Sequence, residues 1–381
     1  MPSFSMAQFL GGLAFFAFGL HAMREGLQLL AGDRLRQRIY RLTDNRFKSF
    51  GFGVLLTLIL QSSGAATALL VSFADTQLVT LRQAFGVILG ADVGTTVVVF
   101  LLAAKRITEI AMYAMVVGFA LHLVATRRKF RYFGSILFGF GLVFYGIHLL
   151  VETMLPLHNG PVAATLLRFL SSQPFWSFCL ALGFAALVHS SAATIGLVLS
   201  LAFAGLVTME GALPLVLGAN VGSCITSVRA SIGRDVNARR VAVAHLFIKI
   251  AGAAIAWPLL PWAARWIRAT AVGLEGFAYP FNGLVGLQIA LAHIGFNAGL
   301  AMIFLPLLPF GVWIVIRLVP EPESAREVFA PKYLDPKAIE TPAIAFAQAR
   351  REVMRLANIA LDLYRDGLKL FDRSHEFAEV V

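Results

Sequence analysis

One short stretch limits what this chain can become. Gln61-Ser62-Ser63-Gly64-Ala65-Ala66-Thr67 interrupts an apolar run with polar residues, and the chain writes it again as His189-Ser190-Ser191-Ala192-Ala193-Thr194. At an offset of 128 the copies align without a gap, 61–96 against 189–224, with 15 identities in 36 positions. The identities take in Leu78-Val79-Thr80 against Leu206-Val207-Thr208. They also take in most of a second motif pair, Gly90-Ala91-Asp92-Val93-Gly94-Thr95 and Gly218-Ala219-Asn220-Val221-Gly222-Ser223. The sequence is a tandem duplication built around two polar breaks.

The surroundings of the breaks are those of a lipid-embedded chain. Hydrophobic residues make up 58% and charged residues 14% of the 381, with a mean hydropathy of +0.77. Several windows reach the roughly 18 to 20 apolar residues that cross a hydrocarbon core of about 30 Å. The expected class is an all-α integral membrane protein, multi-pass in the cell inner membrane, with the lipid bilayer as its main partner. The net charge of +11 does not point to nucleic acid. Residues 324–381 balance nine basic against nine acidic side chains, so the excess lies in residues 1–323, mostly in short loops between spans. That is the positive-inside pattern. Cys179 and Cys224 fall in apolar segments with no metal-ligand or disulfide spacing. The first apolar run, from about Ala7, lacks a basic n-region and reads as a retained helix.

In chain order, a span over 7–30 precedes a basic stretch at 34–48. Phe52 to Leu60 and Ala65 to Ala74 are each about half a bilayer long at about 1.5 Å per residue. Two half-helices meeting at a polar break predict a re-entrant hairpin at about 50–74, tolerated where the broken backbone is buried in protein or lines a cavity. Spans follow at 83–104, 109–125 and 132–151. The second copy has an amphipathic stretch at 162–172, a hairpin at 177–206, and spans at 211–228, 241–262 and 282–318. The loops at 34–48, 127–131 and 229–240 carry 14 Lys or Arg, against five in the loops opposite, and should be cytoplasmic. Three spans separate equivalent points, so the repeats, 1–155 and 156–319, should be inverted in topology. Inverted repeats with broken helices are a secondary-transporter architecture. A linker at 320–340 leads to an amphipathic helical tail, 341–381. Its apolar face, Val353, Leu356, Ala357, Ala360, Tyr364, Leu368 and Phe371, needs a partner helix, a second copy of the chain, or a further segment to cover it.

The breaks have usable chemistry. A Ser at a helix start caps backbone N–H groups, and the first turn presents unpaired donors at the positive end of the dipole. Ser62 and Ser63 on one side, and Ser190 and Ser191 on the other, would aim four hydroxyls and two helix N-termini at one anion. The competing explanation is that small residues permit close helix packing. Gly90/Gly94 and Gly218/Gly222 carry the GxxxG spacing that packs membrane helices, but packing does not account for Asp92 or Asn220. Asp92 with Thr95 and Thr96, and Asn220 with Ser223 and Thr226, are hard oxygen donors of the kind a sodium ion takes. Lys249 could pair with Asp92, help hold an anion, or reach an interface. His245 with Lys249, and His293 with Asn297, share the spacing of four that puts each pair on one helix face.

The duplicated break resembles the QSSS signature of the type II sodium-dependent phosphate cotransporter family, and the glycine motifs resemble its GANxGT segment. The resemblance spans residues 5 to 340, including Thr43-Asp44-Asn45 and Ala292-His293 to Phe296-Asn297. Ala347 to Leu361 resembles the opening of the PhoU-like helical domain of bacterial members, of which the first part is present. The family implies symport of inorganic phosphate with sodium, no catalysis, and no cofactor besides sodium as coupling ion. Phosphate would be held by Gln61, Ser62, Ser63, Gly64, His189, Ser190, Ser191 and Ala192. Sodium would be held by Gln61, Thr67, Asp92, Thr95, Thr96, Thr194, Asn220 and Ser223, with His245, Lys249, His293 and Asn297 as a second tier. The chain departs from the pattern at Gly64, Ala192, His189, Asp92 and Lys249, which bears on the sodium count. An unperturbed imidazole titrates at about 6.5, so His189 implies pH-dependent transport that Gln at 189 would flatten.

Two other readings remain. Ser63, His189 and Asp92 are the residue types of an intramembrane hydrolase triad, although a triad needs one serine and no GxSxG motif is present. A regulatory or efflux role for a phosphate-binding membrane protein is the other, with the C-terminal helix meeting a partner or forming a homodimer.

Overall fold

The computed structural model describes residues 4–31, 45–157, 160–274, 283–321, 333–334 and 342–376. Two compact units divide at Pro320: Met1–Pro320 and Glu321–Val381. The first is an all-α membrane unit in which, among the described residues, six helices are long and apolar enough to cross a bilayer. It opens with α1 (Met6–Ala31), α2 (Arg46–Leu60), α3 (Ser63–Asp75), α4 (Leu81–Ala103), α5 (Lys105–Val124) and α6 (Arg128–Met154). After a 3-10 turn at Leu155–Leu157 come α7 (Pro161–Ser172), α8 (Pro174–Val188), α9 (Ser191–Phe203), α10 (Met209–Gly222), α11 (Ile225–Ser231), α12 (Val236–Ala256), α13 (Leu260–Gly273), α14 (Gly283–Phe304) and α15 (Leu308–Leu318).

The polar breaks fold alike. Asn45 starts α2, its Oδ1 accepting from Lys48 N at 2.8 Å. The helix ends at Gln61 in the left-handed region, φ 53° and ψ 25°, whose N–H returns to Thr57 O. Ser62 is then extended, α3 begins, and the axis turns by 118°. In the second copy His189 ends α8 at φ 57° and ψ 29°, and an extended Ser190 opens α9. A left-handed residue followed by an extended cap stops one helix and starts the next within two residues. The far ends match too: Leu78 N bonds Phe73 O and Leu206 N bonds Leu201 O, both at 2.8 Å. Gln77 and Gly205 take positive φ at equivalent positions.

The glycine motifs set how closely the pieces approach. A side chain at Gly90 would collide with the Phe50 carbonyl and one at Gly94 with Val54 O; 128 residues on, Gly218 faces the Phe178 carbonyl and Gly222 that of Leu182. In both copies, then, the helix before the break lies backbone to backbone on the helix carrying the second motif, the close approach small residues allow. The hairpins also cross over: α3 packs on α11 and α12, while α9 reaches α4. Asp75 at the end of α3 ties this down, accepting from Arg234 Nη1 at 3.1 Å and from Asp235 N at 3.0 Å.

Several boundaries differ from the expected spans. The half-helices are longer than their apolar cores, because Arg46 and Lys48 form the first turn of α2 instead of lying in a loop; residues 34–44 lie outside the described residues. The 211–228 segment breaks at Ser223-Cys224, whereas α4 runs on through Thr95 and Thr96. The 241–262 segment ends at Ala256, where Pro258 and Pro261 start new turns. The 282–318 segment is two helices with a turn at 305–307, since Pro306 and Pro309 remove backbone donors there.

The second unit contains α16 (Pro342–Glu376). Within it, Glu352 accepts from Tyr333 N at 3.0 Å and from Arg355 Nε at 2.8 Å. Val353, Leu356, Tyr364 and Leu368 of the expected apolar face are exposed; the Phe371 side chain lies outside the described residues.

Candidate functional site

Each tip is built on its serine cap. Ser62 Oγ accepts from Ala65 N and Ser190 Oγ from Ala193 N, both at 3.2 Å. This leaves the first backbone N–H groups of α3 and α9 without intrahelical partners. The tips meet at a narrow polar cavity, closed down too tightly to admit a water molecule in this conformation, lined by Gln61, Ser62, Ser63, Gly64, His189, Ser190, Ser191 and Ala192, together with Thr95 and Ser223. All eight residues expected to hold an anion are therefore neighbours, although they come from copies 128 residues apart. Two helix N-termini converge there with their dipoles and hydroxyls, an arrangement suited to an oxyanion.

Two guanidinium groups join the second tip, and the sequence reading named neither as a ligand. Arg24 of α1 donates from Nη2 to Ser190 Oγ at 3.0 Å, while its Nε is buried with no hydrogen-bond partner. Arg229 Nη1 lies 2.9 Å from His189 Nε2. A guanidinium only donates, so Nε2 is the acceptor and the ring proton sits on Nδ1. Arg24 carried a signal, a charge inside an apolar span, but span reading by hydropathy passes over it. Arg229 was counted only as a loop charge.

Gly64 accounts for one departure from the signature. A Cβ there would stand 3.2 Å from Thr226 Cβ, so a third serine at this tip would press on the broken second motif.

The residues expected to hold sodium separate into two groups. Thr95 and Ser223 line the cavity. Their hydroxyls donate to Ala91 O and Asn220 O, at 3.0 and 2.9 Å. Thr67, Thr194 and Thr96 likewise donate to their own helices, to Ser63 O, Ser190 O and Val93 O, and none of the three lines the cavity. Each hydroxyl keeps acceptor capacity.

Asp92 and Asn220, equivalent residues one helical turn from Thr95 and Ser223, instead face the ammonium of Lys249. Its Nζ lies 3.0 Å from Asp92 Oδ2, 3.1 Å from Asn220 Oδ1 and 2.6 Å from Asn297 Oδ1. Of the three roles open to Lys249, pairing with Asp92 is the one the structure contains. Both amides are fixed from behind: Asn220 Nδ2 donates to Val216 O and Asn297 Nδ2 to His293 O, at 2.9 Å each. His245 Nε2 stands 3.5 Å from Asp92 Oδ1, and its Nδ1 is 3.1 Å from Ser227 Oγ. Both ring nitrogens of His293 are buried without a hydrogen-bond partner. The four second-tier residues thus form one cluster with Asp92 and Asn220, every member at most 2% exposed.

The proposed hydrolase triad is not assembled. Ser63 and His189 share the cavity, but Asp92 is engaged by Lys249, with His245 as its neighbouring imidazole.

Comparison with known proteins fits this geometry. The family model described as Na+/Pi-cotransporter matches twice, at residues 15–152 and 150–289. The protein named "Putative inorganic phosphate export protein YjbB" of Salmonella typhimurium is 27% identical over 365 residues, 96% of this chain and 65% of YjbB. The chain thus spans just under two thirds of that relative. YqeW of Bacillus subtilis is 27% identical over 308 residues, 81% of this chain and 96% of YqeW. Sodium-dependent phosphate transport protein 2B of Homo sapiens is 31% identical over 102 residues, 26% of this chain and 15% of that protein. No solved structure matches. Two matches to one family model, over copies that fold alike at their breaks, place the chain in the Na+/Pi-cotransporter family.

Proposed function

We propose that this chain is a secondary active transporter that binds inorganic phosphate between its two hairpin tips and carries it across the cytoplasmic membrane, coupled to sodium. The observation that carries the reading is the convergence of both serine-capped helix starts, with Arg24 at Ser190, on one small polar cavity. Phosphate is a compact tetrahedral anion that can accept from several converging donors at once. Four side chains, the N–H groups of two helix starts and a guanidinium supply them. On this reading α2–α3 and α8–α9 are re-entrant, enter from opposite faces, and expose the tips alternately to the two sides. The family name, and that of protein 2B, support sodium as the coupling ion. The remaining candidates to hold it are Gln61, Thr67, Thr95, Thr96, Thr194 and Ser223.

The name of YjbB favours a second direction, export. A transporter of this kind runs down the summed gradients of its ions, so one site serves either direction. The test is phosphate flux in proteoliposomes with sodium gradients of both signs. Flux should follow the sodium gradient and reverse with it. Flux that ignores sodium would remove the coupling, and no flux with folded protein would remove the transport reading.

A further inference from the structure

We infer that the ammonium of Lys249 is the built-in occupant of a monovalent-cation position formed by the duplicated glycine motifs, a position that therefore takes up no free sodium. The inference deepens the transport reading, and rests on it for its consequence in coupling.

The surroundings of Nζ are those of a bound ion more than of a surface salt bridge. Three side-chain oxygens from three different helices converge on it within 2.6–3.1 Å: Asp92 from α4, Asn220 from α10 and Asn297 from α14. Both amides are held by their own helices with Oδ1 turned inward, so the ligands are fixed from behind rather than recruited by the lysine. Asp92 and Asn220 are the same position in the two copies, which makes the nest a product of the duplication, whereas Lys249 enters from a helix outside both motifs. Hard oxygen donors suit an alkali or alkaline-earth cation. The charge selects a monovalent one: among the described residues Asp92 is the one carboxylate contacting Nζ, so with the neighbouring His245 imidazole neutral a single positive charge neutralises the nest and a divalent ion would leave an excess. The Lys249 stem delivers that charge permanently, and the chain excludes a sodium ion there by already holding its equivalent. Thr95 and Ser223, one turn away, tie this position to the cavity on both motifs. The consequence is a cycle that couples one sodium fewer than the same scaffold would with a short neutral residue at 249.

The test is equilibrium binding of radioactive sodium to purified protein without phosphate, comparing wild type, Lys249→Asn and the Asp92→Asn/Lys249→Asn double variant. Lys249→Asn should bind one more sodium per chain than wild type. The double variant should return to the wild-type number, or hold the added ion at least about tenfold more weakly. Sodium, but not choline, should also raise the melting temperature of Lys249→Asn, because the ion replaces the charge that Asp92 has lost. Equal sodium numbers in wild type and Lys249→Asn would overturn the inference. So would a Lys249→Asn protein that cannot be folded with sodium present, since an available ion site would compensate Asp92. Because no phosphate enters this measurement, failure of the transport reading would show itself separately, as absent phosphate flux in wild type.

Discussion

Gln61 and His189 hold backbone angles that glycine adopts freely, yet neither is glycine. A non-glycine residue in the left-handed region costs about 1–2 kcal/mol. Strain held at these turns is consistent with side chains retained for what they touch. Gln61→Gly and His189→Gly should each raise stability by up to about 1 kcal/mol in thermal or denaturant unfolding, while lowering phosphate affinity. A destabilised glycine variant would mean that the side chains serve the fold. Arg24→Gln should weaken phosphate binding by about tenfold or more, the loss of one charge-assisted hydrogen bond, and this can be read from the concentration dependence of uptake. At this scale the sequence carried the tips well, since Ser62-Ser63 and Ser190-Ser191 sit at matched positions with their companion motif. It did not carry Arg24 or Arg229, whose roles depend on which helix lies beside the second tip. It grouped Asp92 and Asn220 with Thr95 and Ser223 as sodium ligands and left the partner of Lys249 open, because that lysine is remote in sequence.

At the scale of elements, the glycine motifs are contact surfaces. Gly90→Ala and Gly218→Ala each place a methyl group against a carbonyl of the neighbouring helix. Each should destabilise by about 1–3 kcal/mol, the usual cost of overpacking, and by similar amounts, because the approach is the same in both copies. A large effect in one copy alone would show that the helices do not share this packing. Lys249→Met, which offers no ligand to an ion, should cost about 3–5 kcal/mol by stranding Asp92 in the interior, measured by unfolding with choline as the cation. The element boundaries show what hydropathy misses. A sum over apolar residues cannot see the break at Ser223-Cys224 where the first tip packs, because it lies inside a continuously apolar stretch, whereas Pro306 and Pro309 mark the turn in the last segment. It located the two hairpin breaks because polar residues interrupt the run there.

For the whole molecule, the sequence expectation of three spans between equivalent points, together with the asymmetry of basic loops, would have the hairpins enter from opposite sides. Single cysteines at Gln77 and Gly205, equivalent turns at the far ends of α3 and α9, report this directly in a background lacking Cys179 and Cys224. An impermeant maleimide applied to cells should label one and spare the other; labelling of both from the same side would contradict the inverted arrangement. Charge moved per cycle is a property of the whole molecule as well. Each elementary charge carried across 100 mV contributes about 2.3 kcal/mol, so holding Lys249 in place of an ion takes that much out of the driving force.

Phosphate held by both tips at once is the central proposal, and it is tested by uptake into proteoliposomes under a sodium gradient for wild type, Ser63→Ala and Ser191→Ala. These serines are better probes than the capping Ser62 and Ser190, whose loss would also cost about 1 kcal/mol of helix stability. Each single change should abolish or severely reduce uptake while leaving the protein folded. Wild-type uptake in either variant would contradict a site shared between the two copies.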